Sequence, residues 1–165
     1  MTGVQTCALP IWGKPFDSKL DPDHPWVGTG LLFDATTGPI DANRISVIEV
    51  VGCERGVHLV GRTTNNKLEA GSIHLCKTHL SIGGPNDALP NGNRVGGHLE
   101  SEGIPAATGA DVYGVDNLLT LTTGRMAQGR DVVFEPSSRG NTLLGVRVKN
   151  GVTHLAPPAA NRILP

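Results

Sequence analysis

Across 165 residues the chain carries 14 Lys and Arg against 15 Asp and Glu, a formal net charge of -1. A near-neutral surface lacks the electrostatic footprint of a general nucleic-acid binder, and no apolar run approaches the ~18 to 20 residues that span a bilayer. With 22 Gly and 12 Pro but only 4% aromatic residues, the composition favours short strands joined by turns over long helices.

Residues 1–11, M-T-G-V-Q-T-C-A-L-P-I, resemble the translation of a short-read sequencing adapter. They are set aside as an adapter-derived artefact, and Cys7 with them. The remaining Cys53 and Cys76 are too few for a disulfide-stapled scaffold, so reduced, intracellular thiols are expected. Residues 12–25, W-G-K-P-F-D-S-K-L-D-P-D-H-P, place three prolines among charged turn formers, which denies them a continuous helix or central strand. They predict an extended arm, with Trp12, Phe16 and Leu20 to pin it to the domain or to a neighbouring subunit. Residues 26–165 are then long enough to bury the core of a single β domain.

Within that domain, residues 26–33 (W-V-G-T-G-L-L-F) read as a strand with glycines at alternate positions, followed by a turn at 35–39. Residues 45–51 alternate, with Ile45, Val47, Glu49 and Val51 on one face and Ser46, Ile48 and Val50 on the other. Glu49 on the more apolar face implies an edge strand or a paired carboxylate. The C-E-R-G turn predicts a hairpin to residues 56–62, and Asn65-Asn66, tolerant of left-handed backbone, start the reversal into residues 72–80. Residues 81–97 predict a long loop, of the kind that is functional or mobile. No internal repeat is evident by eye.

Further on, residues 111–113 and 118–122 predict a hairpin across 114–117, and 131–134 a short strand. Residues 142–149 are expected to pair with 152–155 across Asn150-Gly151, the strongest two-residue hairpin signal in the chain. The proline-bearing tail is stiff enough to cover an edge or reach outward. Together these signals predict an all-β fold: a small antiparallel β-barrel or sandwich with long Gly/Pro-rich loops and an extended N-terminal arm.

Candidate chemistry is sparse. His74 and Cys76 share a strand face, and Cys53 across the sheet would complete a Cys2His zinc site, or a Cys2His2 site with His79. There is no C-x2-C pair, and His79 falls on the opposite face of a regular strand. Ser137-Ser138 lie outside any G-x-S-x-G elbow, and only folding in space would join His58, His98 or His154 to an Asp as a triad. Arg125 and Arg130 suit an anion clamp or a solvated rim and Asn141 a turn; the few aromatics weaken a sugar platform, which Trp12, Trp26 and Tyr113 leave open. No catalytic, cofactor-binding or metal residue is assigned, and an enzyme is not expected. The alternatives left open are a small ligand- or carbohydrate-binding β module and a metal-dependent hydrolase using His74 and Cys76.

The segment V-Y-G-V-D-N-L-L-T-L-T followed by G-N-T-L-L-G-V-R-V resembles the C-terminal half of small tailed-phage head-decoration, or capsid cement, proteins. The resemblance is carried by Val112, Tyr113, Asp116, Asn117, Leu118, Thr120, Gly140, Gly145 and Val146. It implies a non-enzymatic β-barrel or sandwich that binds the major capsid protein and stabilises the outer lattice as a trimer. It also implies a place on the virion surface after synthesis in the host cytoplasm, with no nucleic-acid or membrane partner and no cofactor.

Overall fold

The computed structural model describes residues 28–101, 107–124, 131–147, 151–157 and 160–164. Their strands are β1 (Thr29–Asp41), β2 (Arg44–Val51), β3 (Arg55–Thr64), β4 (Lys67–His74), β5 (Thr78–Ile82), β6 (Arg94–Glu100), β7 (Thr108–Val112), β8 (Leu118–Gly124), β9 (Val132–Phe134), β10 (Thr142–Arg147), β11 (Val152–His154) and β12 (Arg162–Leu164). They wind as a parallel β-solenoid of about 5 turns. Odd-numbered strands form one six-stranded sheet in the order β1-β3-β5-β7-β9-β11; even-numbered strands form a second, β12-β10-β8-β6-β4-β2. Each coil lays one strand in each sheet, so the chain climbs one strand spacing, ~4.8 Å, per coil.

The apolar alternation visible in the sequence builds the interior. On the inner face of the first sheet, Phe33, Leu59, Ile82, Val112 and Phe134 stack in register. Opposite them stand Ile45, Leu68, Val95, Leu119 and Leu143. Apart from the half-buried Ile45 at the edge, these residues are buried. Each such side chain stabilises the stack by roughly 1.5–3 kcal/mol relative to exposure. Because each inner residue packs on its register neighbours in the adjacent coils, the coils are held by stacking between neighbours.

One kind of corner recurs between the sheets. At residues 42–43, 65–66, 92–93, 116–117 and 140–141 a left-handed residue precedes an asparagine. The left-handed positions are Ala42 (φ 56°), Asn65 (54°), Gly92 (65°), Asp116 (53°) and Gly140 (68°). That conformation swings the chain from one sheet into the other, and the following residues carry the inward alternation of the next strand. Ala42, Asn65 and Asp116 adopt this backbone with a Cβ; at Gly140 glycine also leaves room for the exposed Asp116 carboxylate of the coil before, which a Cβ would displace.

The antiparallel expectation is therefore corrected. Alternation marks a strand with one buried face but not the direction of its neighbour, and turn residues serve solenoid corners as readily as hairpins. Residues 45–51 and 56–62 lie in opposite sheets, as do 111–112 and 118–122. The proposed hairpin at Asn150-Gly151 is absent: β10 pairs with β8 and β12, while β11 pairs with β9. Asn150 itself lies outside the described residues, as do residues 1–11, the arm at 12–25, Trp26, Arg125 and Arg130. The turn expected at 35–39 falls inside β1, as a register shift between Ala35 and Ile40.

Other local readings stand. Residues 131–134 yield β9, and Asn65-Asn66 turn the chain, though into the other sheet. Glu49 lies on an edge strand, β2, and is paired. The face assignment of 45–51 holds only in part, because the alternation slips at Ile48 and Val50 points inward with Ile45 and Val47. The long loop narrows to residues 83–93, and Asn91 ties it back by bridging to Thr64 and Val115.

Candidate functional site

The corner asparagines form a continuous ladder. Asn43 N donates to Asn66 Oδ1 at 3.0 Å, Asn66 N to Asn93 Oδ1 at 3.0 Å, and Asn93 N to Asn117 Oδ1 at 2.9 Å. Asn117 N continues to Asn141 Oδ1 at 2.9 Å, and Asn141 N to Asn161 Oδ1 at 3.1 Å. The side-chain amides repeat the pattern, with Asn93 Nδ2 also donating to Thr63 O and Asn117 Nδ2 to Pro90 O. Every member except Asn43 is buried. These amides satisfy backbone groups that the corners would otherwise leave unpaired inside the protein, which makes the ladder a framework rather than a reactive site. The sequence reading gave Asn141 a turn and missed the rest. The available signal was Asn followed two residues later by an apolar strand position, at steps of 23, 27, 24, 24 and 20 residues.

Outside, the second sheet presents rows of polar side chains. Arg44, Lys67 and Arg94 stack in register, all exposed. Beside them run Ser46, Glu69, Gly96 and Thr120. Lys67 Nζ lies 3.2 Å from Glu69 Oε1, and Glu69 leans across Gly96, where a Cβ would strike its carboxylate. Further along the same face, His74 Nε2 is 2.9 Å from Glu49 and His98 Nε2 is 3.5 Å from Glu100, while His98 Nδ1 meets Thr122 Oγ1 at 2.8 Å. Ile48, 91% exposed, stands on the edge of this wall.

The residues weighed for chemistry are dispersed. His74 faces outward to Glu49, whereas Cys76 is buried. His79 is fully buried, Nδ1 2.8 Å from Thr108 O and Nε2 2.9 Å from Glu100 O. Burial pushes its pKa below the usual imidazole value, outweighing the two carbonyls, and the charge on His74 adds to the drop. The zinc reading therefore keeps only the adjacency of Cys53 and Cys76. No group of three His, Cys, Asp or Glu among the described residues could hold a metal ion. His58 lies on β3, His98 on β6 and His154 on β11, where it stacks on Phe134 at 5.3 Å between centroids. The structure does not bring these three histidines together. Burial, then Arg55, lowers the His58 pKa. Ser138 is buried and accepts from Asn161 Nδ2, and exposed Ser137 donates to Tyr113 O. Burial raises the pKa of Tyr113, which is half-buried.

Fold and surface together define the class: a parallel β-solenoid with an internal asparagine ladder and in-register charged side chains on the outer face of its second sheet. Comparison with known proteins finds no matching family model, no matching curated protein and no matching solved structure. Among the described residues, no helix is long and apolar enough to cross a membrane.

Proposed function

We propose that the chain is a non-enzymatic structural protein that docks the outer wall of its second sheet onto a larger protein assembly. The observation that carries this reading is the in-register rows Arg44–Lys67–Arg94 and Ser46–Glu69–Gly96–Thr120. Parallel stacking repeats such groups every ~4.8 Å on a rigid backbone, so the wall meets an ordered partner without first paying the entropy of arranging itself. Like charges stacked in a ladder repel one another, and an acidic partner surface relieves that repulsion.

The likeness to head-decoration proteins gives the assembly a class, an outer capsid lattice made of major capsid protein, and an association state, the trimer. Part of that likeness is accounted for by the fold, because Asp116 and Asn117 are a solenoid corner. A protein that binds the assembled lattice more tightly than free coat protein stabilises the shell by mass action. Co-sedimentation with undecorated capsids, followed by their heat resistance, tests the proposal. Saturable binding that Lys67→Glu with Arg94→Glu abolishes, without change in the circular dichroism spectrum, is expected. Failure to bind either expanded or mature capsids overturns it, and light scattering decides the trimer.

A further inference from the structure

Cys53 and Cys76 occupy equivalent positions in successive coils, at the corners that return the chain from the second sheet to the first. Backbone bonds bracket them: Gly52 N donates to His74 O at 3.2 Å, and Lys77 N to Cys53 O at 3.1 Å. Coils stacked at ~4.8 Å fall within the 4.4–6.8 Å range of Cα separations that a disulfide spans. Both sulfurs turn the same way, Cys53 Sγ over Gly30 and Cys76 Sγ over Gly56, where an added Cβ would lie 3.0 and 3.2 Å from them. Each thiol donates to the carbonyl two residues before it, Cys53 Sγ to Val51 O at 3.4 Å and Cys76 Sγ to His74 O at 3.3 Å. Access differs between the two, since Cys53 is half-buried and Cys76 is sealed inside.

We infer that Cys53 and Cys76 form a reversible inter-coil disulfide, with Cys53 as the attacking thiol, Cys76 as the resolving thiol and small-molecule disulfides as the oxidant. The Cys53 thiolate attacks one sulfur of the small disulfide, forming a mixed disulfide and expelling the first small thiolate. Cys76 then loses its proton and attacks Cys53 Sγ, closing the protein disulfide and expelling the second small thiolate. The two protons from the cysteines end on the two released thiols, and the small disulfide has taken up the two electrons. The order follows from the environment. Cys53 keeps access to solvent while Cys76 is sealed, and the neighbouring Cys76 brings the Cys53 thiol down to about 7, against the opposing effect of burial, while Cys53 and burial push the Cys76 thiol up.

The test is incubation of the full-length chain, carrying Cys7→Ser, with glutathione disulfide, then non-reducing peptide mapping by mass spectrometry. A single species linking Cys53 to Cys76, reversed by dithiothreitol with the circular dichroism spectrum intact, is expected. Cys76→Ser should stop at the mixed disulfide on Cys53, and Cys53→Ser should leave Cys76 unmodified. In the dithiol protein, competitive alkylation should label Cys53 at least roughly tenfold faster than Cys76, a readout independent of whether either variant folds. Persistence of both free thiols, glutathione trapped on Cys76, or equal alkylation rates would overturn the inference.

Discussion

Replacing Asn117 by alanine removes the middle of the ladder and leaves its neighbours in place. In the native protein Asn117 Oδ1 accepts from Asn93 N at 2.9 Å and Asn93 Nδ2 at 3.1 Å. Its own Nδ2 donates to Pro90 O at 3.1 Å and Asn141 Oδ1 at 3.0 Å. Alanine strands the buried Asn93 N–H, at a cost of about 1–3 kcal/mol, and deletes amide bonds whose net worth is about 0.5–1.5 kcal/mol each. Asn141 Oδ1 still accepts from the backbone N of residue 117, and Pro90 O from Val115 N, which limits the damage. The expected loss is therefore about 3–5 kcal/mol, a large part of the roughly 5–15 kcal/mol that holds a typical domain folded. Asn43→Ala, at the exposed end, removes donations to Asp41 O and Asn66 Oδ1 and should cost about 1 kcal/mol. Urea unfolding followed by circular dichroism measures both. Equal losses for the two variants, or a loss below about 1 kcal/mol for Asn117→Ala, would refute a ladder that supports the interior.

Three other outcomes follow from particular residues. Gly140→Ala places a Cβ at φ 68° and displaces the exposed Asp116 carboxylate, so it should lower stability by about 1 kcal/mol in the same urea assay; a stabilising result contradicts the corner geometry. His79 has its folded-state pKa lowered, so the unfolded chain binds the proton more readily. Its contribution is therefore intact above the unfolded value of about 6.5 and declines as pH falls below it, by at most about 1.4 kcal/mol per pH unit, until the folded ring also protonates. Unfolding from pH 8 to pH 5 should show this decline more steeply in the parent than in His79→Gln, and parallel curves would exclude it. Closing the Cys53–Cys76 disulfide ties off a loop of one coil and should raise stability by about 3 kcal/mol; an oxidised form no harder to unfold than the dithiol would mean that the bridge strains the corner.

The β class, the individual strands and several corners were legible because they depend on local chemistry. Ile45 and Val47 announce an inward face, and Asn65-Asn66 and Asp116-Asn117 announce a bend, whatever lies alongside. Strand direction was not legible, because the partner of Leu118 is Arg94 on one side and Thr142 on the other, each a full coil away. Asn150-Gly151 misled because positive φ at Gly151, here 95°, serves a corner between sheets as well as a two-residue hairpin. The repeat that would have revealed the coils is uneven: the insertion at residues 83–93 lengthens one coil, and only an asparagine and the apolar positions after it recur. Of the candidate chemistry, the closeness of Cys53 and Cys76 was foreseen, whereas the capture of His79 by Thr108 and Glu100 carbonyls depends on the coil above and has no sequence mark.

Coil stacking is tested most directly by the distance between nitroxide labels at Ser46→Cys and Leu164→Cys, in a chain whose native cysteines are replaced by alanine. Both positions are exposed and lie on one outer row, Ser46, Glu69, Gly96, Thr120, Leu144 and Leu164. Successive rungs at ~4.8 Å place the two ends about 24 Å apart. Pulsed dipolar spectroscopy should return a narrow distribution centred near that value. A mean close to the ~10 Å between facing sheets, or a spread too broad to define a mean, would contradict a parallel solenoid and the docking wall built on it.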